Sequence, residues 1–411
     1  MRNVPKLRFK EFSGEWEEKR LGECVEYKKG YAFKADDYND KGVRIIRVSD
    51  LGENSIKKEN PIYISKEKAE LYKEWELYPN DIIATTVGSR PPLYSSMVGK
   101  IVIVTEEFEK ALLNQNSVLL RSTKNFSQKY IYNYFFRKKY INHIENIARG
   151  NANQANITLN DFFEYSIAFP SLEEQEKIAD FLSSVDKKIS ITEEKLDLFK
   201  EYKKGIMQKI FKKELRFKDS NNNDYPEWEE KKLGELLEEY NEKTTTNNQY
   251  PILSSTAGGI YLQSEYFNKQ TASENNIGYK IIPKGYFTYR SMSDTGNFTF
   301  NIQERINFGI VSPAYPVFST KLEKCNKKFL FFYLNNSDFI KEQILVLKEG
   351  GTRYALSYSK FIKLFSKLPC LEEQQKIADF LSTIDTKIEK ISDELENLKE
   401  FKKGLLQQMF V

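Results

Sequence analysis

PSLEEQEKIADFLSSVDKKI occupies residues 170–189, and PCLEEQQKIADFLSTIDTKI occupies residues 369–388. Aligned without gaps over 170–211 and 369–410, the two segments are identical at more than half of their positions. Each carries apolar residues at alternating steps of four and three. In the first copy these are Ile178, Leu182, Val185, Ile189, Leu196, Phe199 and Ile206, with Thr192, Lys203 and Ile210 completing the series. In the second they are Ile377, Leu381, Ile384, Ile388, Leu395, Leu398 and Leu405, with Ile391, Lys402 and Met409 in the remaining slots. A sustained period of 3.5 is the pattern of a coiled-coil seam. Ser171 reads as an N-cap, and Glu173 and Glu174 suit the positive end of a helix. About 40 residues at 1.5 Å each make a helix of roughly 60 Å. One such helix cannot bury its stripe alone, but two matched copies can bury each other's.

A second pair of repeats precedes the first. LRFKEFSGEWEEKRLGECVEY (7–27) matches LRFKDSNNNDYPEWEEKKLGELLEEY (215–240), with a short Asn-rich insertion. The order is therefore short motif, variable block, long motif, and then all three again. The expected divisions are 1–169, 170–212, 213–368 and 369–411. The variable blocks, about 28–169 and 241–368, do not resemble each other in sequence. If an internal twofold relates the halves, the long helices run antiparallel and the blocks lie at opposite ends. Duplex DNA, whose backbone has twofold axes, is the natural object for such a protein to grip.

Within the blocks, RIIRVSDL (44–51), NDIIATTVG (80–88), GKIVIVTEE (99–107) and SVLLRS (117–122) are short β-type runs. GYKIIPKGYFTYRS (278–291) and INFGIVSPAYPVFST (306–320) are their counterparts. Residues 129–150 and 327–347 each read as one helix, followed by a Gly-, Asn- and Arg-containing loop. The fold class expected is α+β: two α/β-type domains separated by a pair of long antiparallel coiled-coil helices.

A chain of 411 residues exceeds one ordinary core. The formal charge of +4 conceals an uneven distribution. Residues 244–367 hold 15 Lys and Arg against 8 Asp and Glu, whereas 368–411 hold 6 against 9. The basic excess of the second block suggests a polyanionic partner. MRNVPKLRFKEF has no apolar region of a secretory signal, and no apolar run approaches the roughly 20 residues of a membrane helix. Cys24, Cys325 and Cys370 are scattered, fitting a reducing cytoplasm and giving no zinc spacing.

The chain resembles the specificity subunits of type I restriction-modification systems. The resemblance runs over nearly the whole chain. It is carried by WEEKRLGE (16–23) and WEEKKLGE (228–235), GYAFKADDY (30–38), YPNDIIATTVGS (78–89), NQNSVLL (114–120) and the two LEEQ-x-KIADFLS segments. It implies that each variable block is a target recognition domain reading one half of a split DNA site, and that the helices set the spacing between halves. It also implies double-stranded DNA, two methyltransferase (modification) subunits and restriction/translocase subunits as partners. S-adenosylmethionine, ATP and Mg²⁺ would then be used by those partners, with no cofactor in this chain.

Catalytic motifs are not visible. NPIY (60–63) lacks the second proline of an adenine methyltransferase loop and reads as a turn into a strand. DYPEWEEK (224–231) has the carboxylates of a nuclease motif, but its twin GEWEEKR reads as a helix lead-in. GGTR (350–353) is not a P-loop. His143, the one histidine, has no neighbouring carboxylate pair or Cys and reads as an ordinary surface or interface histidine. No metal site is expected.

Recognition should therefore rest on Lys and Arg at phosphates and on polar side chains at base edges. The candidates in the first block are Tyr31, Lys34, Thr85, Thr86, Ser89, Arg90, Arg149, Asn151, Asn153 and Gln154. In the second they are Ser254, Ser255, Thr256, Tyr289, Arg290, Ser291, Met292, Arg353 and Tyr354. The alternative reading is a coiled-coil protein–protein scaffold with globular ends.

Overall fold

The computed structural model describes residues 4–52, 55–266, 275–346 and 354–411. The chain forms two compact units: Met1–Glu193 with Glu394–Val411, and Glu194–Asp393. The long repeats are continuous helices, α1 (Leu172–Phe211) and α2 (Leu371–Gln408). In the first unit Asp186 pairs with Lys402 at 2.6 Å and Glu193 with Lys399 at 2.9 Å, so the helices run antiparallel. Ile178, Leu182 and Val185 share a core with Leu405, Leu406 and Met409. In the second unit Met207 and Ile210 share a core with Ile377, Leu381 and Ile384. Every seam position is buried or half-buried; Ile189, Phe199, Lys203, Ile206, Ile388, Leu398 and Lys402 are the half-buried ones, while Leu196 and Leu395 are buried.

Lysine in a seam is accommodated the same way twice. Lys402 meets Asp186 of the opposite helix and lies 5.4 Å from the Phe136 ring centroid. Lys203 meets Asp385 and lies 5.1 Å from the Phe332 ring. The charge is paired, and an aromatic face takes the other side.

Each variable block, together with the end of the short motif before it, forms a four-stranded antiparallel sheet. In the first, β1 (Val25–Lys29), β2 (Ile82–Thr85), β3 (Ile101–Ile103) and β4 (Ser117–Ser122) lie in the order β1-β4-β2-β3. In the second, β5 (Leu237–Glu239), β6 (Phe287–Thr288), β7 (Asn301–Ile302) and β8 (Val317–Thr320) lie in the order β5-β8-β6-β7. Two blocks without visible sequence likeness thus share one topology. Alternating apolar residues such as Ile82, Ala84, Val118 and Leu120 face the main core of the first unit.

The repeated motifs are the ties between each domain and its long helix. Glu174 and Glu373 are almost fully buried. Arg8 donates to both Glu174 oxygens at 2.7 Å, and Arg216 reaches both Glu373 oxygens at 3.3 and 2.9 Å. The adjacent glutamines bridge two chain segments. Gln175 Oε1 accepts from the Ser127 N–H at 3.0 Å, and its Nε2 donates to the Pro170 carbonyl at 3.0 Å. Gln374 does the same with the Asn326 N–H at 2.8 Å and the Pro369 carbonyl at 2.8 Å. Ser127 and Asn326 are themselves the N-caps of helices Gln128–Tyr134 and Lys327–Asn336.

The WEEK segments are strands that lead directly into the short helices Leu21–Cys24 and Leu233–Leu236: Glu17–Arg20 pairs with Ser166–Phe169, and Glu229–Lys232 with Phe365–Leu368. Their pairing partners lie far downstream, and Trp16 and Trp228 are buried beside them. Residues 129–150 and 327–347 are not single helices. The first is Gln128–Tyr134 and Lys138–Ile147, with Arg137 extended at ψ 150° between them; Arg149–Gly150 is already a strand. The second divides into Lys327–Asn336 and Asp338–Val346 at Ser337, extended at ψ 123°. Asn60 sits at φ 49° before strand Ile62–Ile64, the turn expected of NPIY.

Replacing a buried carboxylate opposite a guanidinium removes a charge-assisted bidentate bond. Glu174→Gln should therefore lower the stability of the first unit by about 2 kcal/mol, and Glu373→Gln that of the second by a similar amount. Denaturant unfolding checks this; unchanged midpoints in both variants would show that the arginine pairs contribute nothing. A pH effect follows from His143. Its ring is half-buried, packs on Tyr165, and has Nε2 3.1 Å from the Asp161 carbonyl. Burial holds its pKa below the ordinary 6.5, outweighing the carbonyl contacts. Below about pH 6.5 the unfolded chain binds a proton that the folded chain resists, so stability is lost as pH falls. His143→Gln should flatten that dependence in thermal melts taken between pH 7 and pH 5.

Candidate nucleic-acid interface

In the first block β2 runs through Thr86 into a two-residue strand, Val87–Gly88. That strand pairs with Ala155–Asn156, which pairs in turn with Arg149–Gly150. Two candidate loops more than fifty residues apart in sequence therefore lie side by side. The Arg90 N–H donates to the Ala152 carbonyl at 2.9 Å, joining them again beyond the ladder. Close approach explains Gly88: a Cβ there would meet the Ser96 carbonyl oxygen at 2.4 Å. Gly150 has φ +102°, a conformation that favours glycine.

Within this edge the candidates divide. Thr85 is buried; its hydroxyl donates to the Met97 carbonyl at 3.1 Å and accepts from the Lys100 N–H at 3.0 Å. Ser89 is buried and shares a 2.8 Å hydroxyl pair with Ser96. The Arg90 guanidinium donates to the Ala148 carbonyl. The hydroxyls of Thr85 and Ser89 are thus committed within the edge itself, while Arg90 is half-buried and ties its guanidinium to one carbonyl. Thr86 is half-buried and bonded through its backbone to Asn116 and Ile157. Tyr31 is likewise a packing residue, half-buried among Phe33, Tyr72 and Trp75 with ring centroids 5.0, 4.7 and 4.7 Å away.

The exposed remainder are Lys34, Arg149, Asn151, Asn153 and Gln154. Arg149 is paired with Asp161 at 2.7 Å, and Asn151 Oδ1 accepts from the Gln154 N–H at 2.8 Å. The Asn151 contact closes a tight turn that presents the side chains of Asn153 and Gln154 to solvent. Leu93, 47% exposed on the neighbouring turn, is a surface residue that no motif marked.

The second block repeats the edge. After β6 and the Tyr289–Ser291 corner, strand Met292–Ser293 pairs with Tyr354–Ala355. The Leu356 N–H donates to the Ser291 carbonyl at 2.9 Å. Arg290 is exposed, Met292 is 41% exposed, and Ser291 and Tyr354 are half-buried. Tyr289 is corrected: it is fully buried against Phe300 and Phe361, and burial pushes its phenol far above the usual range. Ser255 is also corrected, being buried and accepting from Asn301 Nδ2 at 2.9 Å. Ser254 and Thr256 are half-buried in a hairpin of Leu253–Thr256 and Gly259–Leu262, where the Thr256 hydroxyl donates to the Gly259 carbonyl at 3.0 Å. Arg353 lies outside the described residues.

Among the described residues no group of three or more His, Cys, Asp or Glu could hold a metal, and no helix is long and apolar enough to cross a membrane. Burial raises the thiols of Cys24 and Cys325 to about 12, so neither is a thiolate at neutral pH.

The chain matches the type I restriction modification DNA specificity domain twice, over residues 13–200 and 225–400. A putative type I restriction enzyme MjaX specificity subunit from Methanocaldococcus jannaschii is 27% identical across 98% of this chain and 95% of that one. The MjaVIII specificity subunit of the same organism is 26% identical across 60% of this chain and 61% of that one. Among solved structures, the type I S subunit from M. genitalium superposes with a TM-score of 0.60 at 18% identity, covering 99% of both chains. A chain from a study of complex assembly and conformational transition of the type I R-M system superposes at 0.52 and 15% identity, covering 96% and 97%. With both of its halves matched to the specificity domain, the chain belongs to the type I restriction-modification DNA specificity family, as a specificity subunit with two recognition domains.

Proposed function

We propose that this subunit directs its complex to a split DNA site, one half read by each recognition domain, with the unspecified gap set by α1 and α2. The observation that carries this reading is the repetition of one sheet and one loop-bearing edge in two blocks of unlike sequence. Equivalent scaffolds with different exposed side chains suit two different half-sites. Asn and Gln amides match adenine edges and Arg matches guanine, while exposed lysines supply phosphate contacts. The duplicated helices offer two equivalent docking surfaces, one for each of two methyltransferase subunits, and restriction subunits join that assembly. The subunit itself is non-catalytic in this reading. S-adenosylmethionine, ATP and Mg²⁺ act in its partners, in the cytoplasm.

The decisive experiment co-expresses the chain with its modification subunit in cells lacking other methyltransferases and maps methylation at single-base resolution. Adenine marks on both strands of a split motif are expected. A soluble complex that leaves no new marks, and a chain that fails to retain random DNA on filters at any salt concentration, would instead favour a protein–protein scaffold. Spacing should be separable from sequence. Matched seven-residue insertions within 186–205 and 385–404 keep the heptad and add about 10 Å to each helix. The gap should lengthen, by at most about three base pairs at 3.4 Å each, with both half-sites unchanged in the same methylation map. Altered half-sites would break the modular reading.

A further inference from the structure

The second strand of each sheet ends in a buried threonine, Thr85 or Thr288. The residue facing it across the ladder belongs to the third strand or its lead-in. The Thr85 N–H donates to the Lys100 carbonyl and the Lys100 N–H to the Thr85 hydroxyl, and Asn301 stands opposite Thr288 in register. Both are polar, and each is only 6% exposed. Burying an ammonium or an amide costs free energy unless its donors are satisfied.

The acceptors they find are informative. Lys100 Nζ donates to the Leu51 carbonyl at 3.0 Å and to the Ser95 carbonyl. Leu51 lies between β1 and β2, and Ser95 lies in the 89–96 turn between β2 and β3. That turn is the one bonded to the 149–156 hairpin through the Arg90 N–H and the Ala152 carbonyl. Asn301 Nδ2 donates to Ser255 Oγ and to the Thr256 carbonyl, both at 2.9 Å. In each domain, one buried side chain at one register position therefore reaches outward from the sheet and holds loop backbone in place. The long lysine gathers two loops; the short asparagine holds one hairpin.

We propose that Lys100 and Asn301 are positioning residues for base recognition, each fixing the loops of its own domain. Neither reaches the DNA; they act through the backbone they hold. The inference rests on the split-site reading above. Its consequence is separability: loss of one strut loosens the reading of one half-site only.

The test uses the assembled modification complex carrying wild type, Lys100→Met or Asn301→Leu. Methylation rates are measured on the cognate duplex and on duplexes with single-base changes in either half. Wild type should discriminate about tenfold or more against such changes. Lys100→Met should reduce discrimination in the first half to within about threefold and leave the second half as in wild type. Asn301→Leu should give the mirror result, and it decides alone if Lys100→Met fails to assemble. Rates that fall equally on all duplexes, with discrimination ratios unchanged in both halves, would overturn the proposal, because that is what a merely structural role produces. A wild-type complex that methylates no split site would sink the underlying reading, and the proposal with it, a result distinct from unchanged discrimination in an active complex.

Discussion

The rest of the structure depends on a buried carboxylate and its neighbouring amide at the start of each long helix. Glu174 and Glu373 are 1% and 0% exposed, a position in which a carboxylate is costly without a cation. Arg8 and Arg216 supply that cation from the arm that precedes each domain. The guanidinium also holds the arm itself: Arg8 donates to the carbonyls of Ser13 and Gly14, and Arg216 to those of Tyr225 and Pro226. The next residue, Gln175 or Gln374, ties the N-cap of helix Gln128–Tyr134 or Lys327–Asn336 to the proline before the long helix. Three segments distant in sequence thus converge on two adjacent side chains. This explains why LRFK and LEEQ occur together, and why both occur twice.

Tyrosines complete each junction with the same economy. The Tyr134 hydroxyl accepts from the Ala168 N–H at 3.2 Å, and the Tyr333 hydroxyl accepts from the Lys367 N–H at 3.0 Å. These N–H groups belong to the strands that pair with the WEEK segments. A hydroxyl brought by a domain helix therefore meets the strand just before the long helix begins. Domain and helix are joined by directional bonds rather than apolar packing alone. Such bonds fix an orientation that area burial leaves loose.

Much of this was legible in the sequence because it is periodic or repeated. The seam follows a local rule, and local rules survive translation into structure: Ile178, Leu182, Ile377 and Leu381 are all essentially inaccessible. What local reading cannot supply is pairing over distance. Glu17–Arg20 is too short and too charged to announce itself as a strand, and its partner lies about 150 residues on. The break at Ser337 carried a signal, since Asn-Ser-Asp is a capping sequence; the break at Arg137 carried none. In the candidate interface the loops were legible as groups. Their individual residues were not, because a threonine whose hydroxyl serves the backbone has the same letter as one that faces solvent. Thr85, Ser89, Ser255 and Tyr289 fell on the wrong side of that division.

That division has a physical order. Polar groups next to the sheet are drawn into satisfying backbone, since an unmet donor there is buried and expensive. Groups one or two residues farther out are hydrated and free to be exchanged for contacts to a ligand. Thr85 and Ser89 therefore hold the edge, while Asn153, Gln154 and Arg290 stand beyond it. The same order accounts for two sheets of one topology carrying unlike sequences. The strands need only alternation and a few buried polar ties such as Lys100 or Asn301, whereas the outermost residues are under no demand from the fold. A scaffold whose stability is indifferent to its outermost side chains can change what it reads without changing how it folds.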